Sequence, residues 1–127
     1  MLKKRIQVSS AKAKGRNCQN WACEQISKLT GFITGKDEMI APREMGQSGV
    51  DVRLVADAKD AFPWSVECKW QESWSLSSFI RQAKENQMKG TDWLLILRKN
   101  REDYVVVLDA EAFFDLLRLI PGRRKGR

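Results

Sequence analysis

SGVDVRLVADAKDAFPWSVECKW, Ser48 to Trp70, is the stretch that decides the fold. Two runs within it alternate with period two. Val50, Val52 and Leu54 interleave with Asp51, Arg53 and Val55; Trp64, Val66 and Cys68 interleave with Ser65, Glu67 and Lys69. Alternation on both sides of DAKDA predicts a β-hairpin. With its turn centred on Lys59, Asp51 falls opposite Glu67 and Arg53 opposite Ser65. Opposed side chains share a face, with Cβ atoms roughly 4.5–5.5 Å apart. Lys69, two residues beyond Glu67, joins that face, and the apolar set turns to the core.

Two readings of the polar face stand side by side. Asp, Arg, Glu and Lys on one side of a hairpin describe an ordinary solvated surface. They also describe a metal site. Two directly opposed carboxylates repel, and a cation between them relieves the repulsion. Oxygen ligands without His or Cys partners suit Mg²⁺ or Mn²⁺. A lysine beside such a metal can orient or deprotonate an attacking water.

Composition narrows the chemistry. The chain has no histidine, which excludes Ser-His-Asp and Cys-His hydrolysis and His-ligated zinc. Its three cysteines, Cys18, Cys23 and Cys68, lack the spacing of a disulfide framework or a zinc knuckle. With 127 residues, one domain spanning 1–127 is expected. Hydrophobic residues at 43% and charged residues at 31% fit a soluble globular protein. No apolar run is long enough for a membrane span or a signal peptide, so a cytoplasmic location is the default.

The net charge of +7 is unevenly spread. Residues 1–16 hold six basic groups and no acid, and residues 118–127 hold five and no acid. The remaining 12 basic residues and all 16 acidic ones lie between, which leaves the middle at −4. An acidic body between a basic N-terminal arm (1–15) and a basic C-terminal tail (121–127) suits contact with nucleic acid phosphates.

The other elements follow from periodicity. Residues 1–13 read as weakly structured, and a helix is expected over 16–30, with Cys18, Ala22, Ile26 and Leu29 on its apolar face and Gly31 ending it. A short strand is expected near 38–44. SLSSFIRQAKENQMKG reads as a helix with Leu76, Phe79, Ile80 and Ala83 inward. WLLILR (93–98) is an apolar run typical of a strand buried on both faces, and 104–109 is a further strand. Asp109 can cap a last helix, AEAFFDLLRLI. The order is α-β-β-β-α-β-β-α.

GVD, a strand–turn–strand, then VECK resembles the PD-(D/E)XK nuclease superfamily. Its motif is an Asp on one strand and Glu-x-Lys on the next, here Asp51 and Glu67-Cys68-Lys69. Val50 stands where the family usually has proline. The predicted order matches the family core over about residues 16–98. The resemblance therefore implies an α/β fold, a restriction-endonuclease-like αβββαβ core with a central mixed sheet flanked by helices. The small size and the SG before the Asp look like archaeal-type Holliday junction resolvases and related phage nucleases. Glu24 matches their helix-1 metal-binding glutamate. Ser48 matches a small polar loop residue, and Arg43 resembles a basic residue near the end of their first strand. Gln82 is the choice for a polar residue facing the site from the following helix, with Gln87 and Arg81 as alternatives.

The resemblance implies a Mg²⁺-dependent DNA endonuclease, with Mn²⁺ able to substitute, that leaves a 5′-phosphate. Asp51, Glu67 and Glu24 would hold the metal, Lys69 would orient the water, and Lys14 and Arg16 would touch DNA. Branched DNA, particularly a four-way junction, is the favoured substrate. Symmetric cutting of a junction asks for a homodimer, for which Trp70, Trp74, Phe113, Phe114 and Leu117 offer apolar surface. A nuclease of nicking, flap or restriction-like specificity remains an alternative. So does a DNA-binding module that keeps the fold without catalysis.

Overall fold

The structure is a computed structural model; it describes the backbone of residues 2–122 and the side chains of residues 10–122. It is mixed α/β. Helix α1 (Leu2–Thr30) leads into the short strands β1 (Ile40–Pro42) and β2 (Val52–Leu54). A small helix α2 (Ala56–Ala61) precedes β3 (Trp64–Trp70). Then come α3 (Leu76–Asn86), β4 (Asp92–Arg98), β5 (Val105–Leu108) and α4 (Ala110–Arg118).

The main sheet is three-stranded and mixed, in the order β3-β4-β5. β3 and β4 run parallel in the register Glu67–Leu95, and β5 returns antiparallel to β4. Parallel neighbours need a crossover, which α3 supplies. Alternation along β3 and β4 divides the core between the two faces. Val66, Cys68 and Ile96 pack with Cys18, Ala22, Cys23 and Ile26 of α1. Leu95, Leu97 and Trp93 pack on the opposite face against Phe79 and Ala83 of α3. Both faces of β4 are covered, as its continuous apolar run predicts.

Several expectations need correction. The segment 56–61 is a helix and not a hairpin turn: its run of Ala, Asp and Lys suits one, and Ala58 is fully buried in the core. β2 pairs with β1, so Arg53 lies opposite Ala41 and not Ser65. The link from β2 to β3 is a single ladder bond, Asp51 N–H to the Val66 carbonyl at 2.9 Å. The N-terminal arm expected to be weakly structured is helical from Leu2. The packed half of α1 supplies the costly nucleus, and Ala, Lys, Arg and Gln then propagate it. Leu29, expected on the apolar face of α1, is 72% exposed; it stands in the last turn of the helix. Leu76, at the first position of α3, is also exposed. Of the basic tail, Arg123–Arg127 lie outside the described residues.

Trp70 and Trp74, expected to supply interface surface, are half-buried in intramolecular packing. The Arg98 guanidinium lies 4.3 Å from the Trp70 ring centroid, and Trp70 Nε1 donates to Asn100 Oδ1 at 2.9 Å. Trp74 packs on the α3-side core with Lys99 over its ring.

Leu95 sits at the centre of this arrangement with no exposed surface. Leu95→Ala should cost about 2–5 kcal/mol, read as a lower urea midpoint at unchanged denaturant slope.

Candidate functional site

Asp51 and Glu67 are the site's two carboxylates, and both are buried, at 5% and 1% exposure. They meet although no hairpin ladder aligns them. Asp51 stands just before β2, where its main-chain N–H ties it to β3. Its side chain then reaches along β3, and Oδ2 accepts the Cys68 N–H at 2.7 Å. The other oxygen, Oδ1, faces Arg43 Nη2 at 3.2 Å. Arg43 is held in turn by its Nη1 donating to the Gly49 carbonyl at 2.9 Å, while Arg16 donates to the Arg43 carbonyl at 3.2 Å.

Glu67 points to the α3 face of the sheet and not to solvent, as β3 alternation requires once α3 covers that face. Asn86 Nδ2 donates to its Oε1 at 2.8 Å, and Oε2 is buried without a partner. Burial pushes the Glu67 carboxyl up to about 7, and the neighbouring Asp51 charge pushes the same way; the Asn86 hydrogen bond and Lys69 oppose them. Lys69 is half-buried on the same face, its Nζ 5.4 Å from the Phe79 ring centroid.

Asn86 is the contact that sequence reasoning missed. Gln82 is half-buried one turn earlier on α3, Arg81 is exposed, and Gln87 donates to the Thr91 carbonyl. The signal was present: Phe79, Ala83 and Asn86 follow i, i+4, i+7, so Asn86 is the polar member of the buried stripe.

The remaining expected residues lie around the 43–49 loop. A cavity of about 560 Å³ is lined by Arg43, Ser48, Lys36 and Arg53 among others. It adjoins one of about 690 Å³ lined by Arg16, Glu24 and Lys36, and one of about 450 Å³ lined by Lys12, Arg16 and Arg43. Glu44 borders all three. Lys14 is half-buried on α1. Glu24 is exposed and faces its cavity with Arg16; among the described residues no three Asp, Glu or Cys side chains converge as a metal-holding group. The carboxylates brought together are therefore Asp51 and Glu67.

That pair fits a hard divalent cation by its donor chemistry. It is all oxygen, and Glu67 Oε2 is a buried acceptor with nothing to accept. Mg²⁺ commonly takes one or two carboxylates and completes its shell with water and phosphate oxygens. No protein-family model matches the chain, and neither a curated protein nor a solved structure is significantly similar to it.

The raised Glu67 value has a definite sign. The folded protein keeps this proton up to about pH 7, whereas the unfolded chain releases it near 4.5. The stability so gained is full below 4.5 and is lost as pH rises through about 7. In chelator, Glu67→Gln should therefore gain on the wild type by about 2 kcal/mol between pH 5 and pH 8, measured by urea unfolding at both values. Asn86→Ala leaves both Glu67 oxygens unpartnered. It should cost about 1–3 kcal/mol at neutral pH and raise the Glu67 midpoint further, read by carboxyl ¹³C titration.

Proposed function

We propose that the chain is a metal-dependent DNA endonuclease of the PD-(D/E)XK type, with a restriction-endonuclease-like core, acting on branched DNA such as four-way junctions as a homodimer. The observation that carries this reading is the buried Asp51–Glu67 pair, with one oxygen of Glu67 unpartnered and Lys69 on the same face. The sequence pattern of Asp51 with Glu67-Cys68-Lys69 supports it.

Asp51 and Glu67 would hold Mg²⁺, with Mn²⁺ able to replace it. The ion would supply charge stabilisation at the scissile phosphate and a more acidic water. The Cys68 N–H fixes one Asp51 oxygen, and Asn86 fixes one Glu67 oxygen, so neither carboxylate must be ordered when the ion binds. Lys69 orients the attacking water from the Glu67 side. Arg43 stands beside Asp51 and can pass from that carboxylate to a phosphate oxygen. Lys12, Arg16, Lys36 and Arg53 border the adjoining cavities. Backbone contacts of this kind position a duplex without reading its bases.

A second reading draws on Arg43. Its contact with Asp51 already offsets one of the two charges, which suits a DNA-binding module whose buried polar pair is purely structural. One set of assays separates the two. The protein is incubated with Mg²⁺ and a labelled four-way junction, flap, single strand or linear duplex. Symmetric nicking confined to the junction is expected, falling by roughly a thousandfold or more in Asp51→Asn with binding retained. Cleavage unchanged in Asp51→Asn would sink the site assignment. Equal cutting of linear duplex would remove the junction preference and leave the nuclease.

A further inference from the structure

Arg43 stands where the basic rim meets the buried carboxylates. Its side chain is 31% exposed, and the Asp51 side chain behind it is 7% exposed. One arm of the guanidinium, Nη2, faces Asp51 Oδ1 at 3.2 Å, and the other, Nη1, donates to the Gly49 carbonyl at 2.9 Å. The same residue lines the cavities of about 560 Å³ and 450 Å³. Asp51 Oδ2 is already taken by the Cys68 N–H. Oδ1 is therefore the Asp51 oxygen that a metal would take, and Arg43 sits on it.

The main chain of Arg43 is anchored independently of its guanidinium. Its N–H donates to the Asp51 carbonyl at 2.9 Å, and its carbonyl accepts from Arg16 Nη1 at 3.2 Å. The guanidinium can thus leave Asp51 by side-chain rotation alone, with those two bonds intact. Rotation of a partly exposed side chain is fast. What opposes departure is electrostatic: a buried carboxylate stripped of its only charged partner is strongly unfavourable. Departure becomes favourable when another cation takes the vacated position.

We propose that Arg43 is an internal competitor for the metal: it holds Asp51 Oδ1 until a polyanion at the rim draws its guanidinium away, so that the substrate licenses metal binding. This rests on reading Asp51 and Glu67 as ligands of a divalent cation. Glu67 Oε2, buried without a partner, is the other half of that position. A divalent ion between the carboxylates sets its charge beside the guanidinium, and like charges at such range repel. Ion and guanidinium therefore exclude each other at Asp51 Oδ1. A phosphate offers the displaced fork the same two-pronged partner as a carboxylate. Without a polyanion, metal affinity is lowered to the extent that Arg43 stays paired inward. By reciprocity, the metal raises the affinity for the polyanion by the same factor as the polyanion raises that for the metal.

The test reads binding and not cleavage. Free Mn²⁺ is followed by electron paramagnetic resonance as the full chain is titrated without DNA. Arg43→Gln should bind Mn²⁺ at least about tenfold more tightly than the wild type. Arg101→Gln, which removes the same charge from the turn between β4 and β5, should match the wild type. Arg43→Lys keeps the charge but cannot hold Asp51 and the Gly49 carbonyl with one fork. It should move in the same direction, and it serves if circular dichroism shows the glutamine variant unfolded. Asp51→Asn, alone and combined with Arg43→Gln, should lose the Mn²⁺ site. A labelled four-way junction is then bound in Ca²⁺ and in chelator, its DNA verified uncut on a denaturing gel. Ca²⁺ should tighten that binding at least about fivefold more in the wild type than in Arg43→Gln. Mn²⁺ affinity unchanged or lower in the Arg43 variants, with Asp51→Asn still losing the site, overturns the competition and leaves the metal site. Equal Ca²⁺ enhancement in both proteins, or none, overturns the coupling. Mn²⁺ binding that Asp51→Asn does not alter removes the metal reading, and this proposal with it.

Discussion

The site depends on one short hydrogen bond, from the Cys68 N–H to the Asp51 carboxylate. The two sheets of this molecule are otherwise barely joined. β2 stays with β1, and one main-chain bond from Asp51 reaches β3. The strands therefore part just after Asp51, and the gap exposes an N–H on β3 that a ladder would have consumed. A carboxylate is a fitting acceptor for such a donor, since a charge-assisted bond is about twice as strong as a neutral one. By taking it, Asp51 is drawn beside the strand that carries Glu67. The like-charge neighbours are thus a consequence of where the sheet splits.

Keeping them together has an electrostatic cost, and the structure answers it unequally. Asp51 has Arg43 and a main-chain donor. Glu67 has one amide donor and a buried oxygen with none. Burial and the Asp51 charge then drive Glu67 towards its protonated form near neutrality. An unpartnered buried carboxylate oxygen is unfavourable in a fold that could have placed an apolar residue there. Under the proposed function a cation would be the partner that this oxygen lacks.

Much of this was legible in the sequence, and the failures have physical causes. The strands β3 and β4 and the helices α3 and α4 follow from periodicity, because burial against a neighbouring layer imposes it. The chemistry singled out Asp51, Glu67 and Lys69, and the fold does bring Asp51 beside the strand that carries the other two, yet the register argument that joined them was wrong. Two alternating runs cannot reveal whether the segment between them turns or coils. Ala58, small enough to bury in either case, gave no sign. The same argument put Glu67 on a solvated face, because alternation shows that a strand has two faces and not what covers each. Asn86 hid for a related reason: a polar residue on an apolar stripe reads as the stripe's end until its partner is known.

The distribution of charge acquires a place once the fold is known. Lys12 and Arg16 belong to α1, Lys36 and Arg53 to the region of β1 and β2, and Arg43 to the loop between those strands. Separate in sequence, they border three adjoining cavities, with Arg43 reaching from that rim to the buried carboxylate. A polyanion seated there would meet cations first and the carboxylate pair behind them. Arg43 lies at the boundary with Asp51 as its partner within; under the proposed function a phosphate would be its partner without. Drawing Arg43 outward would strip Asp51 of its counter-charge and strengthen the repulsion with Glu67. A cation between the carboxylates would become correspondingly more favourable. Binding of a polyanion at the rim and of a metal behind it would in this way reinforce each other through one side chain, as linkage requires of two ligands that share a competing ion pair.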